Sequence, residues 1–321
     1  VAAGRQFPAL GALWGALLIA AVPAFLGGLI EDLTKRVRAY HRLLLTFFSA
    51  AIGFFLLDAR VTSIDVPGLD LLLETAAFSF LFTLFAVGGF THALNIVDGF
   101  NGIAGGVALL ILAGMGMVAV AVDDQLIFVS CLLLGAAIGG FLLWNFPRGR
   151  IFAGDGGAYL LGFLIAELAV LLVHRNTEIS PWFPPLLFAY PLFETFFSIY
   201  RKKLLRGRSP GQPDGLHLHM LVYRRLVKWK TASGDPRHRI ARNSLTAPYL
   251  WIVAAIPIVP AGLFWDSTSV LVSTIAVFCL IYVWLYWRIV RFRAPRSLVL
   301  RNSGLAGEQG RPRSARDAHP A

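Results

Sequence analysis

The sequence predicts an all-α integral membrane protein, a polytopic bundle of about nine transmembrane helices. Three observations carry that expectation. Hydrophobic residues make up 57% of the 321-residue chain, charged residues only 15%, and the mean hydropathy is +0.67, too apolar for a soluble globular protein. Apolar runs of about 20 residues, the length that crosses a bilayer, recur along most of the chain. Lys and Arg collect in alternate connections between those runs.

Taken in order, the first run, 8–30, is too long for a signal-peptide core and is followed by a charged cluster rather than a cleavage site, so it reads as a retained span. Runs at 41–57, 69–90 and 103–122 follow, the third and fourth interrupted by a polar segment at 95–106. Next come 126–145 and 156–173; the latter contains Glu167, which has no evident partner and receives no role. The seventh run, 181–200, contains Glu194 seven residues before Arg201, so both face one way two turns apart. That carboxylate either orients the Arg, lines a site or makes a structural hydrogen bond. Runs at 246–264 and 269–287 complete the set. The spans and a long loop at 201–245 form one unit, 1–290, and the tail 291–321, rich in Arg, Gly, Ser and Pro, reads as a basic disordered extension. Cys131 and Cys279 fall inside apolar runs without metal-ligand spacing, and are expected as packed small hydrophobes with no disulfide framework.

The charge pattern sets an orientation. Residues 31–42 hold four Lys and Arg, 146–155 two, 201–242 twelve, and the chain from 288 onward eight; these are 26 of the 29. Only Arg5, Arg60 and Arg175 fall on the other side. Cytoplasmic loops carry the excess of Lys and Arg, so the rich side is expected in the cytoplasm. The net charge of +11 then reads as topology plus attraction to anionic headgroups of the lipid bilayer. No nucleic-acid recognition fold accompanies it, so no nucleic-acid partner is expected.

Four polar clusters break the apolar pattern, and all lie on the expected cytoplasmic side. Ordinary connectors would divide between both faces, so one shared site is predicted. The first cluster holds Glu31, Asp32 and Lys35; an acidic pair with a Lys one turn on can hold a divalent cation and a phosphate together, or simply end a helix. The second, 95–106, holds Asn95, Asp98, Asn101 and four glycines. Polar groups at a membrane boundary are costly unless used, and glycines let backbone approach a ligand closely. The third is Phe152 and the glycine-flanked Asp155 at an expected helix N-terminus. There a carboxylate suits Mg²⁺ and free amides suit phosphate oxygens; an N-cap is the alternative. The fourth holds Arg206, Arg208, Asp214, His217 and His219. Its spacing excludes a closed zinc site, and phosphate binding and a solvated basic loop both fit.

Together these clusters resemble the polyprenyl-phosphate N-acetylhexosamine-1-phosphate transferases, a family of integral membrane enzymes of the bacterial envelope. The matching pieces are GLIEDLTK at 28–35, NIVDGFNG at 95–102, AGDGG at 153–157 with YLLG at 159–162, and RSPGQPDGLHLH at 208–219. Their order, side and spacing agree from about 8 to 287, and the last loop is more similar to the N-acetylglucosamine and O-antigen-initiating branch than to the muramyl-pentapeptide branch. The resemblance implies transfer of a sugar 1-phosphate from a UDP-sugar to a polyprenyl phosphate, with release of UMP, at the cytoplasmic face of the bacterial inner membrane. It implies Mg²⁺ held by Asp155, with Mn²⁺ as its substitute. It gives Asp32 the lipid phosphate, with Lys35 and Glu31 beside it, and the nucleotide and pyrophosphate to Asn95, Asp98 and Asn101. Phe152 would stack on uracil, and His217, His219, Arg206 and Arg208 would meet the diphosphate or sugar. Relatives of this kind tend to be homodimeric.

The chain departs from the family pattern in three places. Glu31 replaces the usual first Asp, Asn101 stands where a second Asp is common, and the chain begins at the third span of the usual set. Two other readings compete. A transporter or lipid flippase would place polar residues at the midplane and show symmetry between halves. A catalytically silent family member would bind lipid phosphate or nucleotide sugar without turning it over.

Overall fold

The computed structural model describes residues 3–205, 207, 215–227, 240 and 243–291. Among the described residues the chain is helical, with no strand. Eight helices are long and apolar enough to cross a membrane, and the protein is a multi-pass membrane protein. They are α1 (Ala3–Thr34), α2 (Ala39–Leu56), α4 (Ala76–Val97), α5 (Ile103–Ala121), α6 (Gln125–Asn145), α7 (Gly154–Arg175), α11 (Thr246–Leu263) and α12 (Thr268–Val290). Shorter helices intervene at α3 (Leu69–Leu73), α8 (Phe183–Leu187), α9 (Ala189–Tyr200) and α10 (Leu218–Leu221).

Two expectations are corrected. The run 181–200 is not one continuous span but α8 followed by α9. Pro184 and Pro185 open α8, and Pro191 has no N–H to donate one turn back, so the ladder breaks around Phe188. At 1.5 Å per residue neither piece alone is a bilayer-length helix. The run 69–90 divides at Thr75, whose backbone is extended, and the span shifts to 76–97. Asn95 therefore sits in the last helical turn of α4, and Asp98 is the first residue beyond it.

The innermost helix is α7, packed against α1 and α4, and its residues from Gly162 to Leu172 are all buried. An all-round apolar surface suits a helix surrounded by others. By contrast α2, α6 and α12 turn large apolar side chains outward, including Phe48, Phe55, Leu143, Leu280 and Trp284. In a membrane those faces meet lipid tails. Glu167, on α7, is wholly buried beside Gly53 of α2, with no hydrogen-bond partner at either oxygen among the described residues. Cys131 is buried as expected, whereas Cys279 is partly exposed; neither is in a disulfide. The tail 292–321 lies outside the described residues.

The alternation of helix directions carries the connections α1–α2, α4–α5 and α6–α7 to the same end of the bundle. Close packing at that end depends on Gly28: a Cβ there would lie 2.5 Å from backbone atoms of Asp155 and Gly156. The C-terminal end of α1 therefore lies directly on the N-terminal end of α7.

Candidate functional site

The contact between α1 and α7 organises the site. The Asp32 carboxylate accepts the backbone N–H groups of Asp155 at 3.0 Å and Gly156 at 2.9 Å, and so caps α7 from another helix. Lys35, held at φ 55° by the turn that ends α1, sits 3.5 Å from the same carboxylate. Glu31 closes this turn, its carbonyl accepting from Lys35 at 2.7 Å and its carboxylate from the Val37 amide at 2.7 Å.

Asp155 itself is free of capping duty, because Ala153 is the N-cap of α7. One of its oxygens pairs with Arg42 on the first turn of α2, and the other accepts from the Asn95 carboxamide at 3.2 Å. The Arg42 guanidinium lies 5.7 Å from the ring centre of Tyr159, whose hydroxyl is 3.4 Å from Nδ1 of His92. Asp98 stands at the mouth of this group with its own surface open. Crowding by surrounding protein, and then the Asp155 carboxylate, push its pKa up to about 6.

The glycine-rich segment is anchored by carboxamides. Asn145, at the end of α6, accepts the Gly102 N–H at 2.6 Å and donates to the Ile151 carbonyl at 2.8 Å. Trp251 of α11 donates to the Gly102 carbonyl at 2.9 Å. Gly102 itself adopts φ 81°, where a side chain would be strained and would also strike Phe146. Asn101 is buried: its amide donates to Asn243 at 2.9 Å and its carboxamide to the Pro147 carbonyl at 3.1 Å.

On the far side of this segment lies the histidine loop. His219 is buried against Gly99, where a Cβ would come within 2.6 Å of its Nε2, and its ring meets Phe100 edge-on. Burial pushes its pKa down to about 4, so it is neutral at pH 7. His217 stacks on His219 with 5.3 Å between ring centres, and its Nδ1 is 2.8 Å from Glu194. Phe152 is 73% exposed, with its ring free to receive a planar partner.

With this geometry in place, comparison with known proteins is direct. A sequence profile described as Glycosyl transferase family 4 matches residues 14–173, which contain the first three polar clusters. The chain belongs to glycosyl transferase family 4. A Bacillus subtilis (strain 168) protein named "Probable undecaprenyl-phosphate N-acetylglucosaminyl 1-phosphate transferase" is 31% identical over 156 residues, which cover 48% of this chain and 43% of the relative. A Thermotoga maritima protein named undecaprenyl-phosphate alpha-N-acetylglucosaminyl 1-phosphate transferase is 28% identical over 214 residues, 65% of this chain and 62% of the relative. A Bacillus mycoides phospho-N-acetylmuramoyl-pentapeptide-transferase is 31% identical over 176 residues, 52% of this chain and 54% of the relative. The chain thus spans between 43 and 62% of the length of these relatives.

In this family 4 chain the structure brings Asp32, Lys35, Asn95 and Asp155 into one connected cluster, with Asp98 coupled to it electrostatically. Glu31 caps a turn, and Asn101 is turned into the protein rather than toward that cluster. The amides opening α7, expected to be free for phosphate, are occupied by Asp32. Arg206, Arg208 and Asp214 lie outside the described residues. Glu194 turns to the histidine loop, a partner the helical spacing to Arg201 did not suggest.

Sequence reasoning missed Arg42, Asn145 and His92. Arg42 was counted only as loop charge, although a guanidinium in the first turn of an apolar helix is itself a signal. Asn145 carried a similar signal as the polar last residue of a span. His92 lies one turn before Asn95, and only the fold shows its contact with Tyr159.

The donor chemistry also bears on a metal. Among the described residues no group of three or more His, Cys, Asp or Glu converges. Mg²⁺ at phosphate sites is commonly held by one or two carboxylates plus the substrate's own phosphates. The coupled Asp98 and Asp155 fit that pattern and do not fit a closed zinc site.

Proposed function

We propose that this protein transfers an N-acetylhexosamine 1-phosphate, with N-acetylglucosamine as the favoured sugar, from a UDP-sugar to a polyprenyl phosphate. UMP is released, and the product begins a cell-envelope glycan such as O-antigen. One observation carries the reading: Asp32, Lys35, Arg42, Asn95, Asp98 and Asp155, from four separate stretches of chain, meet at one end of an apolar bundle. The names of the relatives support the polyprenyl phosphate acceptor and the sugar 1-phosphate.

In the reaction an oxygen of the lipid phosphate attacks the sugar-bearing phosphorus of the UDP-sugar. A new P–O bond forms, the bond to the bridging oxygen breaks, and that oxygen leaves with UMP. Two anions must be brought together, so positive charge and alignment are the chief needs of such a site. Lys35 and Arg42 supply fixed cations at the cluster. Asp98 and Asp155 would hold Mg²⁺, or Mn²⁺ in its place, and the ion would offset charge on the diphosphate. Asn95 orients Asp155, and Asp32 fixes the end of α7 on which Asp155 stands. The exposed Phe152 ring would take the uracil face, and His217 the diphosphate or sugar. The Lys and Arg bias supports a cytoplasmic position for this end of the bundle at a bacterial inner membrane, where a soluble nucleotide sugar would meet a lipid-held acceptor.

The test is UMP release by membranes carrying the full-length protein, supplied with UDP-N-acetylglucosamine, polyprenyl phosphate and Mg²⁺. Release in wild type that is lost in Asp155→Ala is the expected result. No turnover with any of several UDP-sugars would overturn the reading in favour of a silent binding protein.

A further inference from the structure

We infer that Glu194 is a positioning residue for His217, fixing which ring nitrogen of that imidazole faces the reacting groups. The inference rests on the transferase reading for what His217 does, but the contact itself stands independently. The Glu194 side chain is fully buried. One carboxylate oxygen lies 2.8 Å from His217 Nδ1. The other accepts the Leu218 N–H at 3.0 Å and the Tyr282 hydroxyl. Three partners from two distant parts of the chain therefore satisfy one buried carboxylate, and two of them belong to the histidine loop.

An ionised carboxylate can only accept hydrogen bonds, so His217 Nδ1 must carry the proton. In the neutral ring the Nε2 lone pair is then free to accept, and when the ring is protonated Nε2 becomes a donor as well. His217 keeps 15% of its side chain exposed, whereas Glu194 keeps none, so the imidazole and not the acid meets solvent. The ring is steadied on its face by His219, which packs against Gly99 beside Asp98. Glu194 thus sets the orientation of His217 relative to the glycine-rich segment from a position that touches no substrate. A carboxylate behind a histidine commonly acts in this way, and its loss costs about 10–100-fold in function at metal sites.

Glu194→Gln gives a specific chemical outcome. Leu218 N–H still requires an acceptor, so the amide oxygen is expected to face it and the NH₂ to face His217. That NH₂ donates to Nδ1 and drives the ring to the opposite, Nε2–H tautomer. Nitrogen-15 NMR of the histidine-labelled full chain in lipid nanodiscs reads this directly, with the His217 signals assigned by their loss in His217→Gln. The expected result is the Nδ1–H form in wild type and in Tyr282→Phe, and the Nε2–H form in Glu194→Gln. UMP release in Glu194→Gln should fall about 10–100-fold in kcat, with the KM for the UDP-sugar within about twofold of wild type. Tyr282→Phe keeps the carboxylate and should retain most of the rate.

An unchanged His217 tautomer in Glu194→Gln overturns the inference. So does a wild-type kcat in that variant, if wild type turns over. If wild type releases no UMP, the transferase reading fails while the tautomer measurement still decides the role of Glu194.

Discussion

Asp32 and Asp155 are 123 residues apart in the chain, yet the carboxylate of the first accepts the backbone N–H of the second at 3.0 Å. One acid therefore holds the helix end that presents the other. Replacing Asp32 with Asn leaves one acceptor and puts an NH₂ against an amide N–H. The loss of a cap costs about 1 kcal/mol, read as a lower unfolding temperature in detergent. Displacing Asp155 should lower UMP release about 100-fold, a larger effect than the lost stability explains.

Gly28→Ala tests the same contact from the other helix. Its Cβ would lie 2.5 Å from the backbone of Asp155 and Gly156, where no flexible side chain can yield. Overpacking of this kind costs roughly 1–3 kcal/mol. Thermal unfolding should show that cost, and the variant should lose turnover together with the Asp32 cap.

Asp98 gives a pH dependence of defined sign. Its pKa is raised from 3.8 to about 6 by desolvation and by Asp155. Below about pH 4 the group is protonated in the native and unfolded states alike. As pH rises through about 6 the native state must carry the disfavoured charge, and relative stability is lost. Asp98→Asn should therefore raise the unfolding temperature at pH 8 and leave it unchanged at pH 4.

Asn101→Asp introduces the acid that the family resemblance would lead one to expect there. The position is buried, and its carboxamide N–H donates to the Pro147 carbonyl. A carboxylate would face that oxygen without a proton to offer, at a cost of roughly 1–3 kcal/mol. The variant should unfold at lower temperature and gain no turnover.

Some of the site was legible because unusual chemistry stands out against an apolar background. Asp98, Asp155 and Lys35 interrupt or border long hydrophobic runs, and the side on which they fall follows from counting Lys and Arg. Arg42 was hidden by the same count, since a cation in a basic loop looks like topology until its partner is seen. Asn101 and Asn95 look alike in sequence, and only packing separates the carboxamide that holds Asp155 from the one that holds Pro147. The break at Phe188 was foreshadowed by Pro184, Pro185 and Pro191, yet hydrophobicity alone joined the two helices into one span.

The sequence by itself determined the membrane setting, the family and the residues of the four polar clusters. Those follow from residue type and from spacing along the chain, which need no third dimension. Tertiary structure alone decided which polar groups meet: Asp32 with the amides of α7, Arg42 with Asp155, and Glu194 with His217. The physical reason is that each pairing joins separate segments of chain, from 23 residues apart for Glu194 and His217 to 123 for Asp32 and Asp155. Helix packing, with close approaches such as that at Gly28, sets those distances, and no local pattern encodes them.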